Sequence, residues 1–367
     1  MENKENGMKR AMIAMSGGVD SSVAAFLMKE QGYECMGVTM KLFHNEEIGI
    51  SREHTCCSLD DVEDARSVAN QLHMPYYVFN FSERFREEVM DRFVESYENG
   101  MTPNPCIDCN RYLKFEKLFL RAKELDYDYV VTGHYARIAY DQERGRYLLK
   151  KAVDASKDQS YVLYSMTQEQ LAHVLFPLGE MTKHQTREIA QREGFVNARK
   201  HDSQDICFVQ NGTYGDFIER YTGKHYPEGN FVDRAGRILG RHKGIIRYTV
   251  GQRKGLGLSF AQPMYVSEVN PEDNTVVLGK NEELYSTTLT AKDINLIAVE
   301  RIEGEMRVKA KVRYRQQEQW ATAVQIDEDT IKIIFDEPQR AITKGQAVVL
   351  YDGDVVVGGG TIVSSEL

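Results

Sequence analysis

Two stretches of the chain carry residues whose types and spacing could do chemistry. In "MTPNPCIDCNRYLKF", residues 101–115, Pro103 and Pro105 flank Asn104 and hold an extended loop. The loop delivers Cys106 and Cys109 in Cys-x-x-Cys spacing, and a third thiol, Cys207, lies far along in "HDSQDICFV". Paired thiols serve as metal ligands, nucleophiles or redox partners. A structural zinc site would need a second ligand pair at similar spacing, and the sequence offers none; read plainly, Cys207 is a buried strand residue.

The second stretch is "AMIAMSGGVDSSVAAFLM", residues 11–28. A short apolar run from Met12 to Met15 reads as a strand. Val23, Phe26 and Leu27 then fall at helical spacing, with Gly32 as the stop. Between them Ser16-Gly17-Gly18-Val19-Asp20-Ser21-Ser22 makes a tight turn in which glycine amides and a helix N-terminus can meet phosphate oxygens. No Lys follows as a Walker loop requires, adjacent glycines do not make Gly-x-Gly-x-x-Gly, and Ser16 is not preceded by the Gly-x of a nucleophile elbow. The plainer alternative is an ordinary turn with Asp20 or Ser21 as N-cap. Ser-Gly-Gly-x-Asp-Ser resembles the loop of the ATP pyrophosphatases. The resemblance implies that Ser16, Gly17, Gly18, Ser21 and Ser22 bind pyrophosphate and that Asp20 helps hold Mg2+.

The elements that must position these residues follow from periodicity. "CMGVTMKLF" (35–43) and "YYVFNF" (76–81) read as strands, and "SLDDVEDARSVANQL" (58–72) as a helix with Ser58 and Asp61 as a capping box. "EKLFLRAKEL" and "YDYVVTGHYARI" continue the alternation. The pattern predicts an α/β domain, doubly wound on a mostly parallel sheet, over 1–209, and the resemblance of its loop implies the ATP-pyrophosphatase type. Met40, Gly133 and His134 then fall at strand ends near the cradle. Gly and Pro punctuation thickens over 222–263, predicting a small central domain at 210–277. Alternating runs such as "RVKAKVRYRQ" and "TIKIIF" predict a C-terminal antiparallel β-barrel at 278–367.

Composition narrows the class. The chain has 367 residues, 42% hydrophobic and 28% charged, with net charge −9, which fits a globular enzyme and lacks the basic footprint of a nonspecific nucleic-acid binder. "MENKENGMKR" is no signal peptide and no run is long enough to cross a membrane, so the expected location is cytoplasmic. Six cysteines in such a chain argue for site chemistry over a disulfide scaffold; Cys56 and Cys57, next to His54, read as structural thiols.

"CSLDDVEDAR", "MTPNPCIDCN", "TGHYAR", "KDQSYVLY", "FPLGEMTK", "DSQDICF", "YTVGQRKGLG" and "RVKAKVRYR" follow the Ser16–Ser22 loop in the order found in tRNA-specific 2-thiouridylases, the MnmA/TrmU family, which the chain resembles almost end to end. The resemblance implies ATP bound by Ala14, Met15, Ser16, Gly17, Gly18, Val19, Asp20 and Ser21, with Met40 and Gly133 near the adenosine. It implies adenylation of the C2 oxygen of a wobble uridine in tRNA, then sulfur transfer giving 2-thiouridine, AMP and pyrophosphate. Cys207 would carry a persulfide loaded by a sulfur donor, a cysteine desulfurase or sulfur-relay protein; attack of its terminal sulfur at C2 would expel AMP directly or pass through hydrosulfide, and in the direct route Cys109 would break the linkage, leaving a Cys109–Cys207 disulfide. Asn104, Pro105 and Cys106 would border the flipped uridine, Lys157, Asp158 and Gln159 would contact the anticodon region, and Arg313 and Tyr314 the RNA backbone.

The basic cluster Arg241, His242, Lys243, Arg247, Arg253 and Lys254 is local, and any one such charge alone reads as a solvated surface group. Cys106 departs from the family's usual Asn-Pro-Asp, which puts a third thiol at the site. Cys106, Cys109 and Cys207 could then hold three corners of a [4Fe-4S] cluster, or Cys106 could resolve Cys109; the persulfide and disulfide route is preferred. An amidating ATP pyrophosphatase would need an ammonia source but no paired thiols, and a non-catalytic RNA binder or sulfur carrier predicts damage to Asp20, Cys109 or Cys207, all of which are present.

Overall fold

A computed structural model describes residues 8–43, 59–201, 206–209 and 212–366. His54, Cys56, Cys57 and Ser58 lie outside the described residues.

The chain divides into two units, the first holding Met1–Glu88, Cys106–Phe208 and Asp354–Val356. Its sheet is built from β1 (Arg10–Ala14), β2 (Glu34–Lys41), β3 (Tyr76–Asn80), β4 (Tyr129–Val131) and, beyond a β5 (Ala136–Asp141) and β6 (Arg146–Lys151) hairpin, β7 (Val174–Leu175). The order is β3-β2-β1-β4-β7, with parallel pairing throughout. Order reverses at β1, so the crevice beyond the carboxyl ends of β1 and β4 is the switch point where such sheets take ligands.

Helix α1 (Val19–Glu30) returns over this sheet, burying Val23, Ala24, Ala25 and Met28 against Ala11, Ile13 and Met15 of the strand side and Ala65, Val68 and Ala69 of α2 (Leu59–Gln71). Alanines on both helices allow close approach, and Asp20 in the first turn and Lys29 in the last suit the helix dipole. The helix stops before Gly32, at φ +81. Arg86–Asp91 and Cys109–Lys117 are π-helical.

The second unit takes Val89–Pro105, Val209–Gly353 and Val357–Leu367. Where helical periodicity fades, β8 (Gly229–Val232), β9 (Ile238–His242), β10 (Tyr265–Asn270) and β11 (Thr275–Gly279) form a four-stranded sheet. Beyond it β12 (Tyr285–Leu296), β13 (Glu305–Lys311), β14 (Gln319–Gln325), β15 (Ile331–Arg340), β16 (Ala347–Asp352) and β17 (Val355–Glu366) run in the order β12-β15-β14-β13-β16-β17, and β12 pairs with β17 to close the barrel. Alternation decides the faces: Val308, Ala310, Ala321, Ala323, Ile331 and Ile333 fill the barrel core.

Candidate functional site

The loop between β1 and α1 is shaped as an anion cradle by backbone geometry. Gly17 has φ +74, and a Cβ there would lie 2.4 Å from the Asp61 carbonyl oxygen. Only glycine therefore lets the loop close onto α2. Gly18 is the N-cap of α1 and supplies no side-chain cap, so the N–H groups of the first turn stand available to a ligand.

The loop's own hydroxyls brace it instead. Ser21 Oγ accepts from the Ser16 N–H at 3.2 Å, and both Ser21 and Ser22 donate to the Gly18 carbonyl at 3.1 Å. Ser16 is exposed, whereas Gly17, Val19, Ser21 and Ser22 are buried. Ala14 and Met15 end β1 and lead into the loop, where Met15 bonds across to Val38 and Thr39. Gly133, just past β4, meets the start of α1 so closely that a Cβ would sit 2.8 Å from the Ser21 nitrogen. Met40, near the end of β2, is half-buried.

Asp20 is held from two sides. Lys183 Nζ lies 2.7 and 2.8 Å from its two carboxylate oxygens, and the Tyr135 hydroxyl donates to it at 2.9 Å. Lys183 begins the helix Lys183–Arg192, entered through a Thr182 capping box, and its backbone N–H donates to Asp154. Sequence reasoning missed Lys183 and Tyr135, which lie 163 and 115 residues from Asp20.

The thiols sit at a change of helical register. Cys106 lies in the single turn Pro105–Asp108 and is exposed; Cys109 opens the π-helical stretch and is half-buried. Protein packed around Cys109 removes water from its thiolate form and pushes the thiol up, with the Lys114 ammonium acting the other way. Closing i→i+5 bonds, the π register brings Lys114 back toward the side of Cys109.

Asn110, 2% exposed, donates to the Val162 carbonyl at 3.0 Å. His134 is buried, its Nδ1 2.6 Å from Thr132 Oγ1; burial, aided by Lys114, pushes its pKa well down and keeps the ring neutral. Cys207 is half-buried beside Phe208, whose ring packs on Phe85. None of Cys35, Cys106, Cys109 and Cys207 is joined in a disulfide.

The other expected contact residues divide into inward and outward groups. Asp158 accepts from the Ala152 and Ser160 N–H groups, and Gln159 Oε1 accepts from the Tyr135 N–H at 2.9 Å, so both side chains brace local backbone. Lys157, Asn104 and Tyr314 are partly exposed, Pro105 is buried, and Lys311 lies 5.8 Å from the Tyr314 ring. Arg313 points inward, donating to the Val250 and Ala341 carbonyls and to Thr343 Oγ1.

Cofactor fit differs by group. The uncapped turn and the Gly17 closure suit pyrophosphate oxygens, and Asp20 supplies a carboxylate at the loop, enough for Mg2+ that is also held by phosphates and water. Among the described residues no three His, Cys, Asp or Glu side chains are gathered to hold a metal ion. Cys106, Cys109 and Cys207 are thus not arranged as three ligands of a [4Fe-4S] cluster. Among the described residues no helix is long and apolar enough to cross a membrane.

Residues 9–211 match the family model described as a tRNA methyl transferase HUP domain, 215–280 a tRNA methyl transferase PRC-barrel domain, and 286–362 an aminomethyltransferase beta-barrel domain. The chain is 54% identical to the tRNA-specific 2-thiouridylase MnmA of Clostridioides difficile, across 97% of this chain and 99% of that one. It is 53% identical to the protein of the same name from Acetivibrio thermocellus, across 96% and 99%. At this identity over nearly its whole length, the chain belongs to the tRNA-specific 2-thiouridylase MnmA family.

Proposed function

We propose that the protein converts the wobble uridine of tRNA to 2-thiouridine, using ATP to activate the C2 oxygen and a cysteine-borne sulfur to replace it. The observation that carries this reading is the uncapped first turn of α1 over the Gly17–Gly18 peptide, in a chain of this family that carries Cys109 and Cys207 outside any disulfide. The loop amides and the α1 dipole favour the charge of the departing pyrophosphate, and Lys183 adds a fixed cation beside Asp20. Mg2+ held by Asp20 would neutralise phosphate charge. Met40 and Gly133, from the ends of β2 and β4, flank the adenosine.

Once the C2 oxygen carries AMP, the C2 carbon is electrophilic. The terminal sulfur of a Cys207 persulfide attacks it, the C2–O bond breaks and AMP leaves with the oxygen. The Cys109 thiolate then attacks the Cys207 sulfur, releasing 2-thiouridine and leaving a Cys109–Cys207 disulfide that an external thiol reduces. A cysteine desulfurase or sulfur-relay protein reloads Cys207. Cys106 lies beside Cys109 without being needed by this sequence of steps, which involves no cluster.

For the RNA, we assign Asn104, Pro105 and Cys106 to the rim of the uridine site, and Lys157 and Tyr314, each on its own unit, to RNA contacts. Asp158, Gln159 and Arg313 act from behind, holding the segments that present those contacts. The family-model matches at 9–211, 215–280 and 286–362 support domains at 1–209, 210–277 and 278–367, and the location we assign to a tRNA-acting enzyme is the cytoplasm. Although two matching models are described as methyl transferase domains, methyl transfer has no use for a pyrophosphate cradle with two thiols. Digesting a tRNA carrying a wobble uridine after incubation with ATP and a persulfide donor, and weighing its nucleosides, tests the reading. It predicts an ATP-dependent gain of sulfur for oxygen; a methyl gain, or no change, overturns it.

A further inference from the structure

The amides that a pyrophosphate would meet are aimed by contacts on the far side of the loop. The Gly17 carbonyl accepts from Asn197 Nδ2 at 2.9 Å and from Lys200 Nζ at 3.4 Å. In a planar trans peptide the Gly17 C=O and the Gly18 N–H point in opposite directions. Drawing the carbonyl toward Asn197 and Lys200 therefore leaves the Gly18 N–H facing away from them, where the uncapped turn of α1 begins.

The brace reaches further than one peptide. The same Asn197 amide donates to Ser22 Oγ at 2.9 Å, tying loop to helix. Lys200 Nζ also lies 2.5 Å from Asp61 Oδ1 and 2.7 Å from Asp64 Oδ2, and the Asp61 backbone is the surface onto which Gly17 closes. Lys200 thus holds the loop to α2 with its one cation. Asn197 is 3% exposed, and its Oδ1 is buried with no partner among the described residues. A buried acceptor left unpaired costs stability that an apolar side chain would not, so the two donated bonds are what this residue contributes.

We propose that Asn197 and Lys200 are positioning residues of the pyrophosphate cradle, fixing the Gly17–Gly18 peptide with its N–H toward the ligand. The proposal rests on the reading of the loop as the ATP site. It is tested with Asn197→Ala, Lys200→Met and Lys200→Arg in the full chain. The readouts are titration calorimetry with inorganic pyrophosphate, KM for ATP and for tRNA, and thermal midpoints.

The expected result is roughly a tenfold weakening of pyrophosphate binding and a similar rise in KM for ATP in the first two variants, the scale of one lost hydrogen bond. KM for tRNA stays within about twofold, and Lys200→Arg, which keeps a cation between Asp61 and Asp64, recovers most of the binding. Asn197→Ser, which keeps one donor, serves if the alanine variant does not fold, with weakening in the same direction. Variants that bind pyrophosphate like the wild type overturn the proposal, as does a parallel loss for ATP and tRNA that Arg does not rescue. A wild-type protein that binds neither ATP nor pyrophosphate overturns the ATP reading itself and the proposal with it.

Discussion

Replacing Gly17 with alanine sets two separable costs against one control. At φ +74 an L-residue pays about 1–2 kcal/mol for the left-handed conformation. The new methyl would also stand 2.4 Å from the Asp61 carbonyl oxygen, where a backbone atom cannot swing aside, and overpacking of this kind costs about 1–3 kcal/mol. Together they amount to about 2–5 kcal/mol, or about 4–20 °C in thermal midpoint at about 2–4 °C per kcal/mol. Relief requires the loop to lift from α2, which turns the Gly18 amide off its ligand. Losing one charge-assisted bond of about 1.5–3 kcal/mol raises KM for ATP by about tenfold to a hundredfold. Gly32→Ala is the control: φ is +81 with nothing within 4 Å, so only the conformational cost applies and KM for ATP holds. Scanning calorimetry and ATP-saturation kinetics on both variants decide it. If the Gly17 variant matches the Gly32 variant in stability and in KM, the close approach to Asp61 is not what shapes the cradle.

Three further outcomes follow from the same geometry. Lys183→Met leaves Asp20 without its cation; Lys183 is 11% exposed and Asp20 32%, so the loss is about 1–3 kcal/mol, below the range of a fully buried pair, and denaturant unfolding should recover part of it in Lys183→Met/Asp20→Asn. Asp216, held by the Thr213 N–H and by Arg247, has its pKa lowered from 3.8 to about 2. A depressed carboxylate adds stability that is complete above 3.8 and lost as pH falls through about 2, so thermal midpoints of Asp216→Asn should lie below wild type at neutral pH and meet it near pH 2. Cys207→Ser and Cys109→Ser should each stop 2-thiouridine formation while ATP is still cleaved to AMP, and Cys106→Ser should thiolate; nucleoside mass spectrometry with AMP quantitation reads all three.

The local features of the site were legible because they are written in consecutive residues. An apolar run, a glycine pair and a helical repeat specify β1, the loop and α1, and strict alternation specifies the barrel strands. The network that equips the loop was not legible. Lys183, Tyr135, Asn197 and Lys200 reach it from more than a hundred residues away, and their types alone read as surface charge or ordinary polar residues. Nor does hydropathy distinguish the π register of Cys109–Lys117 from an α-helix, since it rests on which carbonyl each amide chooses. Nor does the motif that carries Arg313 reveal that its guanidinium donates to the Val250 and Ala341 carbonyls, residues far off in sequence.

The central claim is that the C2 oxygen leaves as part of AMP. A tRNA carrying oxygen-18 at the C2 position of its wobble uridine, thiolated with ATP and a persulfide donor, tests it in one experiment. Adenylation predicts one oxygen-18 in the AMP released for each 2-thiouridine formed. Unlabelled AMP alongside labelled water would mean that sulfur replaced the oxygen without passing through the adenylate, and the account would be wrong.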